Sequence, residues 1–174
     1  MSKTSIKTVL LVEDNPADAR LLREMLNQER SYDTELTHVT CIRAAETHLA
    51  EHAVEIILLD LGLPDAQGLE AVRRLHAAAP HVPLVVLTGL EDESVTEAAL
   101  QEGAQGCLIK GQIDPPGLLR ALRHAIDRKF MEDALFEEKE RAQVTLNSIG
   151  DAVVCTDIKG NITFLNVVAE TMTG

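Results

Sequence analysis

Four apolar runs in this 174-residue chain each end in a side chain capable of ionic or proton chemistry. Thr8–Val12 runs into Glu13-Asp14, the segment Val54, Ile56, Ile57, Leu58, Leu59 into Asp60, Pro83–Leu87 into Thr88, and Gly106–Ile109 into Lys110. Apolar runs of this length that do not alternate read as strands buried on both faces of a parallel sheet. The carboxyl ends of parallel strands share one edge, and in open α/β sheets that edge is where ligands bind. Residues distant in sequence therefore converge there. Carboxylates from Glu13, Asp14 and Asp60 packed together repel one another and need a cation. Hard oxygen donors suit Mg²⁺, which keeps several waters and also takes phosphate oxygens. Asp60 beside such an ion is a candidate nucleophile for in-line phosphoryl transfer, forming an aspartyl-phosphate. Lys110 supplies a point charge for the phosphoryl oxygens, and Thr88 a hydroxyl donor.

These side chains need a scaffold, and the chain between them supplies it. Asn15-Pro16-Ala17-Asp18 combines an N-cap residue, proline at N1 and an acid at N3, and Leu21, Leu22, Met25 and Leu26 then form a helical apolar stripe. Glu35–Val39 is a second strand, and Thr40 is read as the cap of a helix running through Glu51. After Asp60 the chain turns at Leu61-Gly62-Leu63-Pro64-Asp65, and Ala66–Ala79 has helical spacing. Glu91–Glu102 is a short helix stopped by Gly103, and Asp114-Pro115 opens a last one carrying Leu118, Leu119, Leu122 and Ile126. Five alternations of strand and helix predict an α/β fold, a doubly wound parallel sheet with helices on both faces.

The final helix has no stop signal where a compact domain would end. Phe130–Leu146 is free of Gly and Pro, with opposite charges four apart at Arg128/Glu132, Lys129/Asp133 and Glu137/Arg141. Asp114–Asn147 as one helix would span about 50 Å, and a helix that outruns its domain suggests pairing with a second copy, although its heptad is broken. After Gly150 the period changes: Asp151–Asp157 and Asn161–Leu165 read as strands joined at Ile158-Lys159-Gly160, with a helix beginning at Asn166. Two strands alone bury too little to be stable, so this hairpin is expected to be poorly ordered or held only by a neighbouring chain.

Composition removes several classes of function. Net charge is −12 and aromatic residues make up 2%, which argues against direct nucleic-acid binding. No run approaches a membrane span, and the amino terminus lacks signal-peptide anatomy, so a cytoplasmic location is expected. Cys41, Cys107 and Cys155 are odd in number and widely spaced, as expected for reduced thiols. The six histidines show no metal spacing with a third ligand; His48 and His52 lie four apart on one helix.

The motifs VLLVEDN, ILLDLGLPDAQG, VVLTG and GCLIKG resemble, in order and position, the receiver domain of bacterial response regulators. The resemblance implies a flavodoxin-like sheet of order 2-1-3-4-5 over residues 1–126, with Asp60 as phosphoacceptor and Glu13, Asp14 and Asp60 as Mg²⁺ ligands. It also implies that the backbone carbonyl of Gly62 is a further ligand, Thr88 the switch hydroxyl and Lys110 the phosphate lysine. The implied partners are a histidine kinase or phosphotransfer protein and the chain's own downstream output domain. Two positions depart from the family. Cys107 stands where a switch aromatic is usual, and Gly111 follows the lysine where a cis proline is common. Residues 127–147 are then a helical linker, possibly a coiled coil. Residues 148–174 resemble the opening of a PAS sensory domain through the D-A-hydrophobic strand, the Asp157…Gly160 turn and Asn166. Such chains usually end in diguanylate cyclases, phosphodiesterases or histidine kinases.

Two other readings compete. A pseudo-receiver would dock or dimerise without phosphorylation, which the two departures favour. A metal-dependent phosphatase would want an acid two residues after its nucleophile, where Gly62 stands. In none of these readings is the chain itself an enzyme beyond self-phosphotransfer and autodephosphorylation, the phosphatase excepted.

Overall fold

The computed structural model describes residues 6–28, 34–89 and 93–173. Five strands, β1 (Thr8–Val12), β2 (Glu35–Val39), β3 (Ile56–Asp60), β4 (Leu84–Thr88) and β5 (Gly106–Ile109), form a parallel sheet of order β2-β1-β3-β4-β5. Between them lie α1 (Pro16–Gln28), α2 (Ile42–Glu51), α3 (Leu69–Ala78) and α4 (Glu93–Gln101), and α5 (Pro115–Ser148) follows. The start of the fourth helix expected at Glu91 lies outside the described residues.

The lack of alternation in the central strands has a direct cause. Leu10, Val12, Ile57, Leu59, Leu84 and Val86 pack on one face with Ile42 and Ala45 of α2 and Ala71, Val72 and Leu75 of α3. Their neighbours Val9, Leu11, Ile56, Leu58, Val85 and Leu87 pack on the other with Ala19, Leu22 and Leu26 of α1 and Leu118, Leu119 and Leu122 of α5. Both faces are covered, so every position must be apolar. At about 1.5–3 kcal/mol for each fully buried aliphatic side chain, this double core fixes the register: Leu59 pairs with Val12 and Val86, and Asp60 lies beside Leu87.

Local capping follows the sequence at α1 and α5. Asn15 accepts the Ala17 amide at 3.0 Å, and Asp114 accepts the Gly117 amide at 2.9 Å. At α2 the expectation fails. The helix begins at Ile42 after Cys41, not after Thr40, and its cap comes from a distant residue. Asp65 accepts the amides of Ile42 at 2.9 Å and Arg43 at 3.0 Å. Drawn toward α2, Asp65 belongs to a loop closed by the Gly68 amide donating to Leu61 O at 2.9 Å. Helix α3 therefore starts at Leu69 and not at Ala66. Arg74 of α3 forks onto both carboxylate oxygens of Glu46 of α2, at 2.9 and 2.7 Å, tying the two helices together.

The chain divides into two compact units, residues 1–130 and 131–174. The second holds the end of α5, an antiparallel hairpin of β6 (Val154–Thr156) and β7 (Ile162–Leu165), and α6 (Val167–Thr173). The hairpin is tied down within its own chain, contrary to the expectation that only a neighbouring chain would hold it. Fully buried Asn166 accepts the amides of Val153 and Ala169 and donates to the carbonyls of Leu146 and Asp151. Its turn is closed by Asp157, which accepts the amides of Lys159 and Asn161.

Asp65 offers a test of the long-range cap. Burial raises its pKa, but the amides of Arg43 and Ile42 outweigh that and hold it below the ordinary 3.8. A depressed carboxylate stabilises the fold above its unfolded pKa and loses that contribution as pH falls through the folded value. Asp65→Ala is expected to cost about 1 kcal/mol at neutral pH, with the deficit shrinking below pH 3.8; urea titrations at the two pH values measure it.

Candidate functional site

Each candidate side chain sits where a strand runs out. Glu13 follows β1, Asp60 closes β3, Thr88 closes β4 and Lys110 follows β5. Parallel pairing in this register brings all four to one edge, with Thr88 opposite Ile109. Glu13 is completely buried, and Asp60 and Thr88 are exposed by only 7% and 8%. Lys110 reaches across this edge. Its ammonium lies 2.6 Å from Glu13 Oε2, 2.8 Å from Asp60 Oδ1 and 3.0 Å from Asp18 Oδ2.

The rest of the site holds these groups in place. Asp60 Oδ2 accepts the Gly62 amide at 3.0 Å, and a Cβ at Gly62 would stand 3.1 Å from that same oxygen. Glu13 Oε1 accepts the Asn15 amide at 3.0 Å, its own amide donates to Val39 O, and His38 Nε2 donates to its carbonyl at 2.7 Å. The Lys110 amide donates to Thr88 O at 2.7 Å, coupling the ends of β4 and β5. No cis peptide occurs among the described residues. The turn after Lys110 is made by a trans bond and by Gly111 in the left-handed region, φ +83°. Cys107 is half-buried and lines the same cleft as His124 of α5.

Electrostatically the edge sets one ammonium, that of Lys110, against the carboxylates of Glu13, Asp60 and Asp18. Burial pushes the Glu13 carboxyl above its ordinary pKa, helped by the Asp60 charge, while Lys110 and the Asn15 amide pull against it. For Lys110, burial disfavours the ammonium, but hydrogen bonds to Asp60, Glu13 and Asp18 outweigh it and raise its pKa. A lysine raised in this way stays charged throughout the neutral range.

Donor atoms of Glu13, Asp14 and Asp60 all lie within 4.8 Å of one another, a set of three possible metal ligands. All are hard oxygens, and two belong to buried carboxylates that need positive charge, those of Glu13 and Asp60, so the set fits Mg²⁺. The sequence had indicated Glu13, Asp14, Asp60 and Lys110, and the fold brings these together. From sequence Asp18 is an N3 helix acid, and His38 is one of six histidines without metal spacing. Asp18 stands four residues after Asp14, in the first turn of the helix that follows it, the signal that could have placed it near the edge. His38 contacts a backbone carbonyl, for which no side-chain pattern exists.

Two measurements test this geometry. Gly111→Ala forces an L side chain into the left-handed region, at a cost of about 1–2 kcal/mol, read as a lower denaturation midpoint. Glu13→Gln removes a charge that burial penalises, so without divalent cations it is expected to raise the melting temperature; addition of Mg²⁺ is expected to stabilise the original chain more than the variant.

Comparison with known proteins agrees with this arrangement. The family model described as the response regulator receiver domain matches residues 9–146. The KDP operon transcriptional regulatory protein KdpE of Escherichia coli is 38% identical over 104 residues, 59% of this chain and 44% of that protein. The probable diguanylate cyclase DgcE of the same organism is 59% identical over 46 residues, 26% of this chain and 4% of that protein. This chain thus spans less than half the length of either relative. The receiver domain of the sensor histidine kinase PA1611 from Pseudomonas aeruginosa, solved with magnesium in its active-site cleft, superposes with a TM-score of 0.61 at 28% identity. That match covers 71% of this chain and 99% of the other. A five-stranded sheet of order 2-1-3-4-5 with an acidic edge, matched over most of its length by this model, places the chain in the response regulator receiver domain family.

Proposed function

We propose that this chain is a phosphoacceptor switch in which Asp60 takes a phosphoryl group from a histidine kinase or phosphotransfer protein. The observation that carries the reading is the contact of 2.8 Å between the Lys110 ammonium and Asp60 Oδ1, on the edge that also gathers the Glu13 and Asp14 carboxylates. An Asp60 oxygen attacks phosphorus, the phosphorus–nitrogen bond of the donor phosphohistidine breaks, and its electron pair returns to the imidazole. Glu13, Asp14 and Asp60 would hold Mg²⁺, with the Gly62 carbonyl as a further ligand. When bound, Mg²⁺ neutralises charge on the carboxylates and the phosphoryl oxygens. Lys110 balances the remaining charge, and the Thr88 hydroxyl donates to a phosphoryl oxygen.

Because Thr88 O accepts the Lys110 amide, motion of either residue is passed to the ends of β4 and β5. With Cys107 in place of a bulky switch side chain, this main-chain link is the proposed route to α5. We assign residues 1–126 to the receiver, 127–147 to a linker and 148–174 to the start of a PAS domain. Phe130, Met131, Leu135 and Phe136 stand more than 60% exposed on α5, which supports pairing with a second copy. The short match to DgcE supports a cyclase-type output downstream. The seating of Lys110 on Asp60 favours this reading over a pseudo-receiver. No described helix is long and apolar enough to cross a membrane, in keeping with work in the cytoplasm.

Incubation with a radiolabelled small phosphodonor and Mg²⁺ is expected to give an acid-stable, base-labile label that chelation prevents. Asp60→Asn is expected to lose it; undiminished labelling of that variant overturns the assignment.

A further inference from the structure

The lysine at the acidic edge has a third carboxylate partner that the proposed reaction does not use. An ammonium has three N–H donors, and three acidic oxygens surround this one, from Glu13 at 2.6 Å, Asp60 at 2.8 Å and Asp18 at 3.0 Å. These oxygens crowd the ammonium, and Asp18 Oδ2 accepts one of its hydrogen bonds. A phosphoryl oxygen that engages the ammonium competes with these oxygens for it. Asp60 and Glu13 both have other work in the reaction, as acceptor and as cation ligand, and Asp18 is outside the group of cation ligands. Asp18 lies in the first turn of α1, where the helix dipole favours an acid, and its side chain is 35% exposed. Its contact with the lysine thus uses no atom of the cation-ligand set.

We infer that Asp18 is a positioning residue that competes with an incoming phosphoryl group for the Lys110 ammonium, and so weakens the grip of the site on that group. The inference rests on Asp60 being the phosphoacceptor. Asparagine at position 18 keeps the shape and an oxygen acceptor but not the charge. A hydrogen bond to a charged partner exceeds a neutral one by enough to change an equilibrium about five-fold.

The test is calorimetric titration of the whole chain with beryllofluoride, a phosphoryl mimic, at saturating Mg²⁺. Four proteins are compared: the original chain, Asp18→Asn, Lys110→Met and the double variant. Asp18→Asn is expected to bind about five-fold more tightly than the original, and the same change made on Lys110→Met is expected to have no effect. Should Lys110→Met fail to fold, Lys110→Arg takes its place, and the gain from Asp18→Asn is then expected to be altered. Unchanged or weaker binding by Asp18→Asn overturns the inference. So does an equal gain with and without Lys110, which would mark simple removal of a repelling charge. If the original chain binds no beryllofluoride, the phosphoacceptor reading fails first and this inference with it.

Discussion

One ammonium group keeps the acidic edge of this sheet together. Two parallel strands deliver buried carboxylates to neighbouring positions, and neither Glu13 nor Asp60 has enough water around it to relieve its charge. Loss of Lys110 would leave both buried carboxylates uncompensated, at a cost of several kcal/mol. Lys110, brought in by the edge strand β5, meets that need while leaving Asp14 exposed. The geometry of the chain around it follows. The left-handed Gly111 turns the chain directly after the lysine, the Thr88 carbonyl fixes its amide, and Gly62 has no side chain to push Asp60 aside.

The sheet explains how so polar an arrangement is tolerated. Each central strand sends alternate residues into two separate apolar layers, so the strands are held rigidly until the last residue. Polar chemistry begins only where those layers end. The site is thus positioned by the least deformable part of the fold, and its groups come from four segments that have nothing local in common.

Much of this was legible from the sequence, and the reasons are physical. Strands covered on both faces must be uninterrupted apolar runs, so β1, β3 and β4 declared themselves, and the residues closing them marked the site. Departures arose where a distant residue supplied a local need. Asp65 caps a helix that begins 23 residues before it, and this leaves no trace in the sequence around Thr40. Asp18 looked like an ordinary acid in a helix first turn, because a residue that complements the helix dipole can also face a lysine 92 positions away. Asn166 was noted, but that a single buried amide would tie the hairpin, α6 and the end of α5 together required coordinates.

The two faces of the sheet carry ion pairs of different purpose. On the side of α2 and α3, Glu46, Asp65 and Arg74 knit helices to one another and to a loop. On the side of α1 and α5, Asp18 and Lys110 meet at the edge that carries the chemistry. The two sets share no residue, so each can be altered without substituting a member of the other. Substitutions that retune thermal tolerance can accumulate on one side of the sheet without disturbing selection for signalling on the other.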